Sequence, residues 1–387
     1  MNLLLITSFM PKENAPQAGV NITYNLLKLI KEKFKYNIDL LCLQNISEIE
    51  DTSKDIEKVV DKVDVIKISK FKKIFNLVKN INIPVIASVR YDNRVVKYIR
   101  DIDSQKKYDF IFLDYTQNIN YYNTLKNAFP TAKIIIIEHD VSFLGFERKY
   151  KNASGIKKIL YKFEYNRLKN YELKMTKKFD HVITLNLKDS KLLGLGDKVK
   201  IMAPFINQFD IEPKQHKGFN IMFWGAMNRN ENEDAVIYFI EKIWNSIDKK
   251  DTKFYIVGSK PSERIKSFSS ENVIVTGFVE DPKEYFEVMD VSVIPLRLGA
   301  GIKIKVLESL ANNIPVITTS VGAEGIGITN GVDGFVTDDV NKFVQHLEEL
   351  KNNNTLREEI KNNAVNLIKR KYSFESNHSI LREIFGE

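Results

Sequence analysis

At 387 residues and 43% hydrophobic content, the chain is too long for one ordinary domain and suits two of about 180 residues each. Its one cysteine, Cys42, excludes a disulfide framework, and no apolar run approaches the roughly 20 residues that span a bilayer. The net charge of +8 is unevenly placed: residues 1–205 carry 36 Lys and Arg against 23 Asp and Glu, a net +13, whereas residues 206–387 carry 22 against 27, a net −5.

Residues 2–7 read as a buried strand. The apolar run from Leu3 to Ile6 is too short for the core of a secretion signal, and Pro11 soon follows. With the lone cysteine, this predicts a cytoplasmic protein. A helix is predicted over about 21–34, then strands over 38–43, with Cys42 a buried strand residue, and over 63–68, 110–113, 133–138 and 181–185. Helical stretches lie between most of them, and such alternation predicts a parallel sheet covered on both faces. Two stretches are both basic and apolar. One runs from Ile68 to Lys79. The other, over 155–178, carries Ile156, Ile159, Leu160, Phe163 and Leu168 on one helical face among Lys157, Lys158, Lys162, Arg167, Lys169, Lys174, Lys177 and Lys178. We read the latter as an ordinary helix whose apolar face meets a core; a helix lying on a membrane surface has the same pattern.

A polar stretch with two prolines over 204–218 marks the predicted domain boundary. The second half repeats the alternation, with strands over 220–224, 254–257, 273–276, 291–294 and 315–318. Helices are predicted over 234–247, 283–289, 302–311, 340–351 and 356–371. The fold class is therefore α/β, with two doubly wound domains whose ligands meet the C-terminal ends of the strands.

The richest segment is Pro295-Leu-Arg-Leu-Gly299-Ala-Gly301-Ile-Lys303-Ile-Lys305-Val-Leu-Glu308-Ser-Leu-Ala311. A strand runs into a glycine loop, and the loop opens a helix. Such a helix start has unpaired N–H groups and a positive dipole end that favour an anion. Lys303 and Lys305 add charge, and the glycines let a phosphate approach the backbone. Glu308 repels phosphate but accepts hydrogen bonds from a sugar's hydroxyls. Together they point to a ligand with both a diphosphate and a sugar ring.

This segment, with Pro315-Val-Ile-Thr-Thr and Gly322-Ala-Glu-Gly-Ile after it, resembles the donor-site signature of GT-B glycosyltransferases of family 4, in a branch with a Pro-Leu-Arg-x-Gly-x-Gly loop. The resemblance extends to Phe9-Met-Pro…Ala18-Gly19-Val20, Glu138-His139-Asp140, Phe223-Trp-Gly225-Ala-Met-Asn and Tyr372-Ser-Phe374. It implies two Rossmann-like domains facing across a cleft: 1–205 for the acceptor, 206–371 for the nucleotide-sugar, and a helix over 372–387 crossing back to the first. The implied activity is transfer of a sugar from a nucleotide donor with retention of configuration, to a glycan or lipid-linked acceptor of a bacterial surface polysaccharide.

By the same resemblance, Glu308 binds ribose hydroxyls and Lys303 and Lys305 neutralise phosphate. Gly301 and Ile302 offer backbone N–H groups, Gly19 lets the first domain's backbone approach the diphosphate, and His139 lies near the transferred sugar. Phe278 and Val279 fall where the backbone meets the nucleobase. Gly225 closes the strand that opens the second domain. Lys303, Lys305 and Arg229 are expected to supply the charge missing from Ala226 and Glu231, where many members carry Arg and Lys. Ala300 stands where the family has the first glutamate of Glu-x7-Glu, so sugar identity does not carry over. The linker Ala203-Pro204-Phe-Ile-Asn207 also departs from the family's form. Ala300 motivates an alternative, a non-catalytic nucleotide-sugar-binding partner of another transferase; a GT-B epimerase is a further alternative, for which no carboxylate set is evident. No metal or other cofactor is expected, because the five histidines are scattered without ligand spacing. The basic first half is expected to meet an anionic membrane surface at the inner face of the cell membrane, and nucleic acid is not an expected partner because no recognition motif accompanies the lysines.

Overall fold

The computed structural model describes residues 1–13, 18–45, 55–80, 82–206, 209, 211–299 and 301–387. Ala300 and Asn207 lie outside them. The chain divides into two compact units: Met1–Ala203 with Asn377–Glu387, and Pro204–Ser376.

Unit 1 is built on seven parallel strands: β1 (Asn2–Thr7), β2 (Asn37–Asn45), β3 (Lys62–Ile68), β4 (Phe110–Asp114), β5 (Lys133–Glu138), β6 (His181–Thr184) and β7 (Val199–Ile201). Their order is β3-β2-β1-β4-β5-β6-β7, so the sheet reverses its direction of growth between β1 and β4. The central strands are apolar throughout because helices cover both faces: Leu3, Leu4, Leu5 and Ile6 of β1, and Ile134 to Ile137 of β5, have no exposed surface. Cys42 is buried in β2. The expected first helix is Ala18–Leu29, continued by one wider turn over Ile30–Phe34.

The last helix, Phe374–Phe385, packs from Asn377 onward on unit 1. Phe385 lies 4.6 Å from the Phe110 ring and 4.8 Å from Phe34, Tyr36 Oη donates to Glu387 at 2.6 Å, and Asn377 Nδ2 donates to the carbonyl of Ala203 at 2.9 Å.

One expectation fails here. In the helix Gly155–Thr176, Leu168 is buried, but Ile156, Ile159, Leu160 and Phe163 are all exposed. The buried positions are Glu164, Leu168, Glu172, Met175 and Thr176. The core is thus covered by the C-terminal part of the helix, and the two buried glutamates hold backbone N–H groups of neighbouring helices where apolar side chains were expected.

Unit 2 is built on six parallel strands: β8 (Phe219–Trp224), β9 (Thr252–Val257), β10 (Val273–Gly277), β11 (Val291–Ile294), β12 (Val316–Thr318) and β13 (Phe335–Val336). Their order is β10-β9-β8-β11-β12-β13, with the reversal between β8 and β11. The helix expected over 234–247 begins earlier, at Asn230, and breaks into a wider turn over Phe239–Ile243 and a tight one over Trp244–Ser246. Among the described residues, no helix is long and apolar enough to cross a membrane.

Candidate active site

In unit 2 the loops after β8 and β11 meet at the topological reversal, where open α/β sheets hold ligands. The helix after β11 is Ile304–Ala311, two residues later than the sequence predicts, and Lys303 is its N-cap. Gly301 and Ile302 therefore belong to the loop before the helix. Gly301 has φ 71°, a conformation that favours glycine.

Lys303 is buried. Its ammonium donates to the carbonyl of Gly301 at 2.6 Å and lies 3.9 Å from the Glu324 carboxylate, so it ties the loop to the segment after β12. Thr319 Oγ1 holds the same loop through the carbonyl of Leu296. Arg297 grips Asp234 through two nitrogens, at 3.1 and 2.5 Å, and lies over the Tyr238 ring at 4.4 Å; it fastens the loop to the helix Asn230–Tyr238.

Lys305 is placed differently. Its Nζ contacts Asn232 Oδ1 and sits 4.7 Å above the buried Phe223 ring. Asn232 is itself fixed by donating Nδ2 to the carbonyl of Ala226 at 2.7 Å. Burial pushes the Lys305 ammonium down to about 7; Arg229 and Lys303 act in the same direction, against Glu231 and Glu308. A buried amine with so low a value favours an incoming anion, which restores its charge. Gly225 makes room for it: φ is 152°, and a Cβ there would lie 2.7 Å from Lys305 Nζ.

Glu308, one turn along the helix, is buried and accepts a hydrogen bond from Trp224 Nε1 at 3.0 Å. The indole packs edge-on against Phe286, with centroids 5.7 Å apart, which fixes the donor. Arg229 is half-exposed, 3.9 Å from Glu231, at the start of the helix Asn230–Tyr238. At the end of β10, Gly277 takes φ 73°; Phe278 is 77% exposed while Val279 packs against the cluster of Met222, Val257 and Phe286.

In unit 1 the corresponding reversal lies at the ends of β1 and β4. His139 Nε2 donates to Asp114 Oδ1 at 2.8 Å, and Thr7 and Thr23 hydroxyls donate to Asp114 Oδ2 at 2.7 and 3.0 Å. The imidazole is stacked on Tyr115 with centroids 4.2 Å apart. An ionised carboxylate only accepts, so Nε2 carries the proton and a neutral ring keeps its lone pair on Nδ1. That Nδ1 is buried and has no hydrogen-bond partner among the described residues. It lies 3.3 Å from where Gly19 would carry a Cβ, and that Cβ would collide with Tyr115 Oη. A pocket of about 130 Å³ opens beside the ring, lined by Tyr115, Thr116, Gln117, Glu138, Asp140 and Ser142. Behind it, Glu138 and Glu172 are buried together. Burial drives the Glu172 carboxyl up to about 7, although the N–H groups of Ser142 and Phe143 oppose this, and burial raises the Glu138 carboxyl well above its ordinary value with the Glu172 charge adding to it.

Lys305, Glu308, Gly225, Arg229 and the glycine loop thus gather in unit 2, and Gly19 and His139 gather in unit 1. Lys303 is taken up by the loop itself. Trp224, Asn232, Asp114 and Tyr115 have no role in the sequence reading. Among the described residues, no group of three His, Cys, Asp or Glu is placed to hold a metal ion.

Residues 218–353 match the family described as glycosyl transferases group 1, so unit 2 contains a glycosyltransferase group 1 domain. The chain is 25% identical over 307 residues to a 44.6 kDa protein of the cps region of Klebsiella pneumoniae, covering 75% of this chain and 76% of that one. It is 27% identical over 208 residues to the capsular polysaccharide biosynthesis glycosyltransferase CapM of Staphylococcus aureus, covering 50% of this chain and 54% of CapM. Its fold is that of the crystal structure of Anabaena HepE in complex with UDP, with a TM-score of 0.64 at 12% identity over the full length of both chains. Both units are Rossmann-like and the fold is GT-B.

Proposed function

We propose that the chain is a glycosyltransferase that moves a sugar, with retention of configuration, from a UDP- or GDP-linked donor to a lipid-linked glycan acceptor of a bacterial surface polysaccharide. The observation that carries the donor assignment is the half-buried Lys305 side chain, whose amine sits beside Gly225, with the Trp224-held Glu308 one helical turn away.

In this reading the diphosphate lies against the Gly299–Lys303 loop and the start of the helix Ile304–Ala311. The Lys305 ammonium and the helix dipole stabilise charge that builds on the leaving diphosphate. Glu308 accepts from the ribose hydroxyls, and Phe278 and Val279 border the base. The bond from the sugar's anomeric carbon to the phosphate oxygen breaks while the acceptor oxygen joins the same carbon. The acceptor's proton passes to the departing phosphate, giving a glycoside and a nucleoside diphosphate. In unit 1, Asp114 orients the His139 imidazole, and the absence of a side chain on Gly19 leaves room beside it. The reading uses no metal, since Lys305 and the helix start supply the positive charge. The named role of CapM and the UDP bound by HepE favour the same pathway class and ligand class.

Incubating the chain with UDP- and GDP-sugars and lipid extract tests it. Release of a nucleoside diphosphate with label entering the lipid fraction is expected for at least one donor. Binding of a donor without turnover on any acceptor would favour a non-catalytic partner instead.

A further inference from the structure

Two helices of unit 1 leave apolar faces uncovered. In Gly155–Thr176, every residue over 154–160 is exposed, and Ile156 (76%), Ile159, Leu160 and Phe163 (63%) follow one another at helical spacing. In Lys70–Lys79, Phe71 (86%), Ile74 and Phe75 do the same. Both helices are fastened to the same element, the short helix Val85–Val89. Glu164 Oε1 accepts from the Val85 N–H at 2.6 Å, and Asn76 Nδ2 donates to the carbonyls of Val89 and Tyr91 at 3.3 and 2.6 Å. Exposed apolar side chains gathered in this way mark an interaction surface.

The charges around them say which kind. Residues 70–79 and 155–163 contain Lys70, Lys72, Lys73, Lys79, Lys157, Lys158 and Lys162 and not one Asp or Glu. Lys72 and Lys79 stand 5.8 and 6.0 Å from the Phe75 ring, and Arg167 stands 5.5 Å from the Phe163 ring, so cations border the same rings that would be buried. The buried centre of a protein–protein interface is poor in lysine, because each ammonium would lose its water without a partner. An anionic bilayer removes that conflict: the lysine stems lie along the apolar side chains, the ammonium groups stay among lipid phosphates, and the apolar tips enter the acyl boundary.

We propose that these two helix faces dock unit 1 on the surface of an anionic lipid bilayer. The docking needs no nucleotide-sugar, and it stands or falls separately from the transfer reaction.

The test is sedimentation of the full chain with vesicles of phosphatidylcholine alone and of phosphatidylcholine with phosphatidylglycerol. The chain partitions onto the anionic vesicles roughly tenfold or more better than onto neutral ones, and high salt weakens it. Replacing Phe71→Ser, Phe75→Ser, Ile159→Ser and Phe163→Ser together lowers anionic binding by about tenfold or more, with melting temperature and nucleotide binding unchanged. A charge variant, Lys70→Gln, Lys72→Gln, Lys157→Gln and Lys158→Gln, which keeps every apolar group, loses binding to a similar degree. Equal binding to both vesicles, no binding to either, or wild-type binding by both variants would overturn the proposal. So would a wild-type dimer in the ultracentrifuge that the serine variant turns into monomer with no vesicle binding, because the face would then belong to a second copy.

Discussion

Gly225 has no side chain where the amine of Lys305 sits: a Cβ on Gly225 would lie 2.7 Å from Lys305 Nζ and 2.9 Å from Asn232 Nδ2. Gly225 also has φ 152°, which an L side chain resists. The end of β8 therefore admits the Lys305 amine only because residue 225 is glycine. Gly225→Ala displaces Lys305 and lowers nucleotide-sugar turnover by about tenfold or more. Steady-state kinetics with the preferred donor check it. Unchanged kinetics would mean that Lys305 reaches its place by another route.

The proposed donor site should depend on pH through Lys305. Burial holds the amine at about 7 in the free protein, below its ordinary 10.5. A nucleotide-sugar diphosphate binds the protonated form better. Affinity is therefore full below about pH 7 and declines above it, by up to about tenfold per pH unit. Calorimetric titrations between pH 6 and 9 measure this, and Lys305→Ala binds weakly with a flat profile. In stability the sign is opposite. The unfolded chain holds more protons than the folded one between about 7 and 10.5, so this residue favours folding increasingly as pH rises through that window.

Asp114 acts through His139. Asp114→Asn leaves a single acceptor oxygen for His139 and the Thr7 and Thr23 hydroxyls; with that oxygen turned to the threonines, the amide NH2 faces Nε2 and the imidazole proton moves to Nδ1. We expect kcat to fall by about tenfold or more, with nucleotide affinity in unit 2 unchanged. Loss of nucleotide affinity to the same degree would show a general disturbance of the fold instead.

Glu172 is a stability group. Its folded value of about 7 lies above the ordinary 4.5, so the folded state binds more protons between those values. The stabilising contribution is fully present below about 4.5 and is lost as pH rises through 7. Glu172→Gln removes the charge and keeps one acceptor oxygen, for the N–H of Ser142 or of Phe143 but not for both. Thermal melts of the variant then decline less steeply than wild type between pH 4.5 and 7, over the window set by the two Glu172 values. Parallel melting curves would show that Glu172 does not titrate there.

The strands were legible because a parallel sheet covered on both faces demands continuous apolar runs, as in Leu3 to Ile6 and Ile134 to Ile137. The glycine loop and the two lysines after it were legible because their chemistry is local. Partnerships made by the topology were not. Thr7 and Asp114 are 107 residues apart and meet because β1 and β4 are neighbours; Trp224 and Glu308 are 84 apart and meet across the β8–β11 reversal. Nothing in the spacing of Ile156, Ile159, Leu160 and Phe163 tells a core face from an exposed one, since the period is the same in both. The helix starts at Ile304 and not at 302 because Lys303 has extended backbone angles, φ −91° and ψ 95°, as its N-cap.

We propose that unit 2 holds a nucleotide by the chemistry of Glu308 and Lys305. Calorimetric titration of UDP and of GDP into the wild-type chain and into Glu308→Ala tests it most directly. One of the two nucleotides is expected to bind, and Glu308→Ala to weaken it by about tenfold or more, the effect of leaving ribose hydroxyls without their charged acceptor. No binding of either nucleotide, or equal affinity in the variant, would contradict it.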